Sequence, residues 1–287
     1  MEIRAVTGAI DGLAPLLVVL LLASPALAQD TKKEGYLRNI ELCNGLNRTP
    51  FEARINGCTA LIDASEDMTT TGLAVAYNNR GNAYAAEHDY DRAIRDFDSS
   101  IKLNPKYVKP FNNRGVALLR KGEYDLAIGA FDQAIKLNSN YGEAFANRAE
   151  AHLQKHEYDR AGRDYDEAIR LEPNLAGVWN GRCWTRAVLG ALNTALEDCN
   201  KALQLDSGNA ATYDSRGLVH LKMGQMSAAI DDYNSALRLD PKLASALYGR
   251  GLAELKQGNK AGGDADISAA KAIRGTIGNE FTRYGVR

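Results

Sequence analysis

Cysteine, histidine and tryptophan are scarce in this chain, with four, four and two copies in 287 residues. The cysteines form no C-x-x-C, which removes the zinc-ribbon and thioredoxin-type classes. There is no G-x-S-x-G, no phosphate-cradling glycine loop and no H-E-x-x-H, so no catalytic constellation is offered and no cofactor is implied. Charge of either sign is not in excess. The formal net charge is −1 and no basic run compensates for it, which argues against nucleic acid as a partner. A basic amphipathic helix, needed for a membrane-surface role, is also missing.

Long hydrophobic runs are missing except for one. Leu13–Ala23 is apolar and is followed by Ala26-Leu27-Ala28, the small-x-small pattern of a signal-peptidase site. Residues 1–28 therefore read as a signal peptide cleaved after Ala28, although the charges before the run are Glu2 and Asp11 against Arg4. The run is short of the roughly 20 apolar residues that a membrane span needs, so no stable membrane insertion is expected after cleavage. Loss of one basic and two acidic residues leaves 34 of each sign and a net charge of zero. The expected location is periplasmic or secreted, from a bacterial cell. Polar protein or peptide surfaces remain as partners.

What the chain has in abundance is itself. A unit of about 34 residues recurs six times without a gap, starting at Ala74, Val108, Gly142, Ala176, Ala210 and Ala244. A fixed period in this range marks a solenoid, in which each unit buries its apolar face against its neighbours. Position 8 is small in every unit (Gly81, Gly115, Ala149, Cys183, Gly217, Gly251), and so is position 20 (Ala93 through Gly263). Positions 4 and 24 are mostly bulky, for example Tyr77 with Phe97 and Phe111 with Phe131. Large and small residues alternating in this way pack two antiparallel helices closely. Pro105, Pro173 and Pro241 fall at position 32, just past the second helix.

The pattern resembles the tetratricopeptide repeat (TPR) family over roughly Ala74 to Ile273. The resemblance implies an all-α, right-handed α-solenoid of six helical hairpins: 74–107, 108–141, 142–175, 176–209, 210–243 and 244–273. One departure is systematic. Position 7, usually leucine, is arginine in every unit (Arg80, Arg114, Arg148, Arg182, Arg216, Arg250), and position 23 is aspartate in all but the second, where Ala130 stands. A repeated ion pair between the two helices is the expected reading; a ligand-binding arginine ladder is the alternative. His152 and His156 have a metal-like i, i+4 spacing, but they fall at a packing position and at the hairpin turn, so no metal is expected.

Cys183 and Cys199 occupy positions 8 and 24 of the fourth unit, sixteen residues apart. Cys43 and Cys58 are fifteen apart in segment 29–73, which reads as a degenerate N-terminal hairpin. Thr49-Pro50-Phe51-Glu52 is a capping box with proline at the first helical position, so the second helix of that hairpin should start there. Aligning Phe51 with Tyr90 puts Cys58 at position 24, and a turn one residue shorter puts Cys43 at position 8. In an oxidising compartment both pairs should form disulfides within their hairpins. The other connectivities would have to bridge tens of ångströms at about 8–10 Å per helix layer, against the roughly 7 Å that a disulfide allows. Buried free thiols are the alternative.

The resemblance places first-helix positions 2, 5, 6, 9, 12 and 13 on the concave wall. There the first units present amides: Asn78, Asn79 and Asn82, then Asn112 and Asn113, then Asn147, with Asn180 in the fourth. Amides match the alternating N–H and C=O of an extended peptide, and the run resembles the asparagine ladder of O-linked N-acetylglucosamine transferases. The lysines of the carboxylate clamp of Hsp70- and Hsp90-binding cochaperones are replaced by Asn78 and Glu143. Later units present Trp184, Leu218, Leu221, Leu252 and Leu255, with Trp184 as a candidate anchor. Asparagines bonded only to their neighbours are the competing reading. Ile277, Phe281 and Tyr284 recur at i, i+4 and i+7, so 274–287 should be a short helix capping the last unit. The function expected is a non-enzymatic scaffold or adaptor of the cell envelope that holds an extended peptide or partner protein in its groove. The alternative is the targeting subunit of an envelope enzyme or secretion complex.

Overall fold

A computed structural model describes residues 25–45 and 49–286, which contain fifteen α-helices, one short 3-10 turn and no strand. Most of the expected signal segment, 1–24, lies outside the described residues. Among the described residues no helix is long and apolar enough to cross a membrane. The first helix, α1 (Pro25–Asn44), runs through Ala28 and pairs with α2 (Phe51–Asp63). Six further hairpins follow: α3 (Thr70–Ala86) with α4 (Tyr90–Leu103), α5 (Val108–Lys121) with α6 (Tyr124–Leu137), α7 (Gly142–Gln154) with α8 (Tyr158–Leu171), α9 (Ala176–Leu189) with α10 (Leu192–Leu205), α11 (Ala210–Lys222) with α12 (Met226–Leu239), and α13 (Ala244–Lys256) with α14 (Lys260–Ile273). The chain ends in α15 (Ile277–Arg283).

The small positions do what their size suggests. Ala93, Ala127, Ala161, Ala195 and Ala229 are fully buried. A Cβ on Gly115 would stand 2.5 Å from the Phe131 ring, so only glycine lets α5 and α6 approach this closely. First helices of neighbouring units touch one another, α3 with α5 and onward to α11 with α13, while successive second helices stand farther apart. The stack therefore curves with its first helices on the inner wall.

Each position-7 arginine is an ion-pair node, as the recurrence implies. Arg80, Arg148, Arg182, Arg216 and Arg250 each donate Nε and Nη2 to both oxygens of the position-23 aspartate of their own unit, at 2.6–2.9 Å. The Nη1 group reaches back to position 25 of the preceding unit: Asp132 for Arg148, Asp166 for Arg182, Asn200 for Arg216 and Asn234 for Arg250. Arg80 makes the same bond to Thr59 of α2, at 3.0 Å. One guanidinium thus ties two helices of one hairpin to the hairpin before it, and the N-terminal hairpin serves as a preceding unit.

Ala130 breaks this series. Arg114 keeps only the backward bond, Nε to Asp98 at 2.7 Å, beside a groove of about 310 Å³ lined by Phe111, Leu126 and Ala130. Ala130→Asp should supply the missing carboxylate and stabilise the chain by about 1 kcal/mol, the upper range for a partly exposed pair. A raised denaturation midpoint, lost again in Arg114→Leu/Ala130→Asp, checks it.

Both disulfides join the two helices of one hairpin. Cys43 and Cys58 have Cα atoms 4.6 Å apart, Cys183 and Cys199 5.3 Å apart, and all four are buried. The N-terminal hairpin departs from the expected register. α1 stops one residue after Cys43 and α2 begins at Phe51, so six residues separate the two helices, against two or three between the helices of the repeat units. Pro50 has ψ 148° and is the N-cap of α2, so the helix starts at Phe51, one residue later than the capping-box reading places it. The disulfide still faces the same way because it is set by the contact between α1 and α2, not by the turn.

Candidate functional site

The amide run lies on the inner wall, and its members are bonded to each other. Nδ2 of Asn79 donates to Asn44 Oδ1, that of Asn113 to Asn78, and that of Asn147 to Asn112, at 3.0–3.1 Å. Asn113 and Asn147 therefore clip their units to position 5 of the one before, and Asn79 makes a like bond to Asn44 of α1. Asn78 and Asn112 are buried, and their own amide groups donate to Asn79 and Glu143. Asn79, Asn82, Asn113 and Asn147 are half-buried at the wall surface. Among the described residues, Oδ1 of Asn113 and of Asn147 accepts no bond, which leaves two carbonyls along the groove.

The run stops after the third unit for a reason of packing that sequence inspection missed. Where position 24 is phenylalanine (Phe97, Phe131), position 6 of the next unit is asparagine (Asn113, Asn147). Where it is tyrosine (Tyr165, Tyr233), the next position 6 is glycine. A Cβ on Gly249 would lie 2.3 Å from the Tyr233 ring, and one on Gly181 2.4 Å from the Tyr165 ring. The phenol occupies the volume that an asparagine takes elsewhere. The pairing of positions 24 and 6 across units was the available signal.

Units four to six carry the apolar half of the wall, and the tail lies on it. α15 packs against both helices of the last hairpin, α13 and α14, and reaches along the inner wall. The outer face of α14 carries small and polar residues (Asp264, Ala265, Ser268, Ala269, Lys271, Ala272) and is exposed, as is Ile273 at its end. Ile277, Phe281 and Val286 are buried in one cluster with Leu218, Leu221 and Leu247, edged by Trp184, Tyr248 and Leu252. An aromatic chain runs from His156 and Tyr158 through Trp184, Tyr284 and Phe281 to Tyr248, with successive centroids 4.9–6.0 Å apart. Edge and tilted contacts of this kind are the favoured geometries. Trp184, the expected groove anchor, packs edge-on against Tyr284 of the tail, 5.1 Å away.

Polar contacts hold the free end of the tail. The Lys222 ammonium donates to the carbonyls of Ala187 and Tyr284, both at 2.6 Å, and to Val188. It sits at the carbonyl ends of α9 and α15, where a cation is favoured, while burial pushes its pKa down. Arg283 Nη1 lies 2.7 Å from His156 Nε2. His156 is itself at a left-handed turn position (φ 61°) where four other units have glycine.

Between the tail and the wall a cavity of about 780 Å³ remains, bordered by Tyr158, Asn180, Trp184, Asp214, Arg274 and Glu280. Asp214 is pushed up to about 6 by burial, opposed by the Ser245 hydroxyl, which donates to Oδ2 at 2.6 Å, and by Arg274. The buried Oδ1 of Asn180, another expected groove amide, has no partner among the described residues. His152 does not join His156: it is buried with Nδ1 2.7 Å from Glu157 Oε2, as expected of a packed histidine. Among the described residues no cluster of histidine, cysteine and carboxylates is arranged to hold a metal.

A stack of helical hairpins with paired 34-residue phasing and a continuous inner wall defines a repeat scaffold of the α-solenoid class. Models of the tetratricopeptide repeat match residues 74–107, 108–141 and 146–210, and a TPR repeat model matches 222–258, together more than half of the chain. The chain belongs to the tetratricopeptide repeat family. No curated protein matches the sequence. Among solved structures, a tetratricopeptide repeat protein from Parabacteroides merdae is similar at 16% identity and TM-score 0.66, over 88% of this chain and 99% of that one. The APC/C hetero-tetramer Cut9–Hcn1 gives 17%, 0.67, 93% and 57%. YrrB, described as a TPR protein with an unusual peptide-binding site, gives 19%, 0.50, 66% and 95%. At these identities the likeness is one of fold.

Proposed function

We propose that the protein is a non-enzymatic scaffold of the cell envelope that binds an extended peptide or a partner protein along its inner wall. The observation that carries this is the amide row of units one to three. Asn113 and Asn147 are fixed by their Nδ2 bonds to the preceding unit, so their carbonyl oxygens are held in place to accept backbone N–H groups. Such bonds are indifferent to side chains, and this half of the wall gives affinity with little sequence choice. Peptide binding by the fold-similar YrrB is consistent with that use. Two disulfides and the Ala26-Leu27-Ala28 site support export to an oxidising compartment.

Asn79, Asn113 and Asn147 changed together to alanine should weaken binding of a partner captured from a periplasmic extract by about 2–4 kcal/mol, at about 0.5–1.5 kcal/mol per neutral hydrogen bond. The helical circular dichroism spectrum should persist, because the Arg–Asp nodes and both disulfides remain. Unaltered affinity would move the binding surface elsewhere, and unfolding would make the asparagines purely structural.

A further inference from the structure

The tail packs across several units of the inner wall and not on the last hairpin alone. It is a single helix, Ile277–Arg283, shorter than a helix that holds itself together in water. It is joined through residues 273–276, all exposed. Its contacts come from three faces that the repeats already form: Trp184 in unit four, Lys222 in unit five and Tyr248 in unit six. It leaves most of the outer face of α14 exposed. Its fit is also incomplete, because the 780 Å³ cavity stays open beneath it.

We propose that the apolar half of the inner wall is a docking surface for a short amphipathic helix of a partner protein. Such a helix would present an aliphatic residue and two aromatics at the i, i+4, i+7 spacing of Ile277, Phe281 and Tyr284, and would end on Lys222. The chain's own tail is the resident occupant that the partner helix displaces. Trp184 and Lys222 select the guest: the indole takes an aromatic ring edge-on, and the ammonium takes the carbonyl end of a helix. The cavity accommodates a longer guest than the tail. This deepens the scaffold reading by giving a ligand class to the half of the wall that the asparagines do not reach.

The test uses the full chain and a fluorescently labelled synthetic peptide of residues 274–287. In the wild type the tethered tail competes at an effective concentration on the order of mM, so the peptide should bind weakly. Phe281→Ala/Tyr284→Ala in the full chain empties the two aromatic sites, and the peptide should then bind at least ten-fold more tightly, with a change in tryptophan fluorescence. Adding Trp184→Ala to that variant should remove the gain, and a peptide with alanine at both aromatic positions should not bind. Equal binding to wild type and variant, or none to a folded variant, would overturn the proposal. If Phe281→Ala/Tyr284→Ala loses its helical signal, Tyr284→Ala alone, which leaves the wall intact, carries the same comparison. Unfolding of both would show the tail to be core and would equally overturn it. The asparagine triple variant should bind the peptide unchanged, so this proposal and the scaffold reading can fail separately.

Discussion

Replacing Cys183 and Cys199 together by alanine should cost about 3 kcal/mol, the entropy of closing a loop of some fifteen residues in the unfolded chain. Packing adds to the loss. In units one and two the same two positions hold a glycine and a phenylalanine whose ring fills the gap between helices, as Phe131 does over Gly115. In unit four the sulfurs stand where that ring would be, and both cysteines are fully buried, so two alanines leave a void. A solenoid is held by nearest-neighbour interfaces, and this unit is central, so the transition should also broaden as the two halves uncouple. Cys183→Gly/Cys199→Phe restores the ring contact without the cross-link and should fall between wild type and the alanine pair. Denaturant titration of the oxidised proteins measures all three. A midpoint for the alanine pair equal to that of wild type would show that the bond adds nothing to the fold.

The repeat phase, the helix pairing and the disulfides were legible because each rests on a contact inside one hairpin, which sequence spacing encodes directly. Positions 7 and 23 are sixteen residues apart in every unit, so the Arg80–Asp96 pair and its four equivalents follow from the recurrence. Contacts between hairpins were harder to read. The backward reach of Arg182 to Asp166, or of Arg80 to Thr59, depends on how one unit sits on the next, and the polar residue at position 25 varies among Asp, Asn and Thr. The asparagines were visible as a row, but their mutual bonds and the displacement of the row by Tyr165 and Tyr233 come from the same inter-unit geometry. The tail was the hardest. Ile277, Phe281 and Tyr284 announce an apolar face, yet nothing in their spacing distinguishes the end of the stack from its inner wall.

Arg182→Ala should be among the most damaging single changes in the chain, at about 3–5 kcal/mol, the range for removing one partner of a buried pair. Asp198 is only 3% exposed and accepts from Arg182 twice and from Arg186 once. With Arg182 gone, Arg186 remains with one bond to Asp198 and a longer one to Asp166 at 3.3 Å, the 2.7 Å bond of Arg182 to Asp166 is lost, and the stacking of the guanidinium on Trp179 at 4.9 Å disappears. Leaving a carboxylate half-paired in a buried seam costs more than deleting the whole node. Arg182→Leu/Asp198→Leu should therefore recover a substantial part of the loss, because no buried charge is stranded and the seam stays filled. Arg114→Ala makes the contrast. Arg114 has only the exposed Asp98 as partner, so its removal should cost within about 1 kcal/mol. Equilibrium unfolding of the four variants would decide the matter, and an Arg182→Ala loss no larger than that of Arg114→Ala would mean that the node is ornamental and that helix packing alone sets the stack.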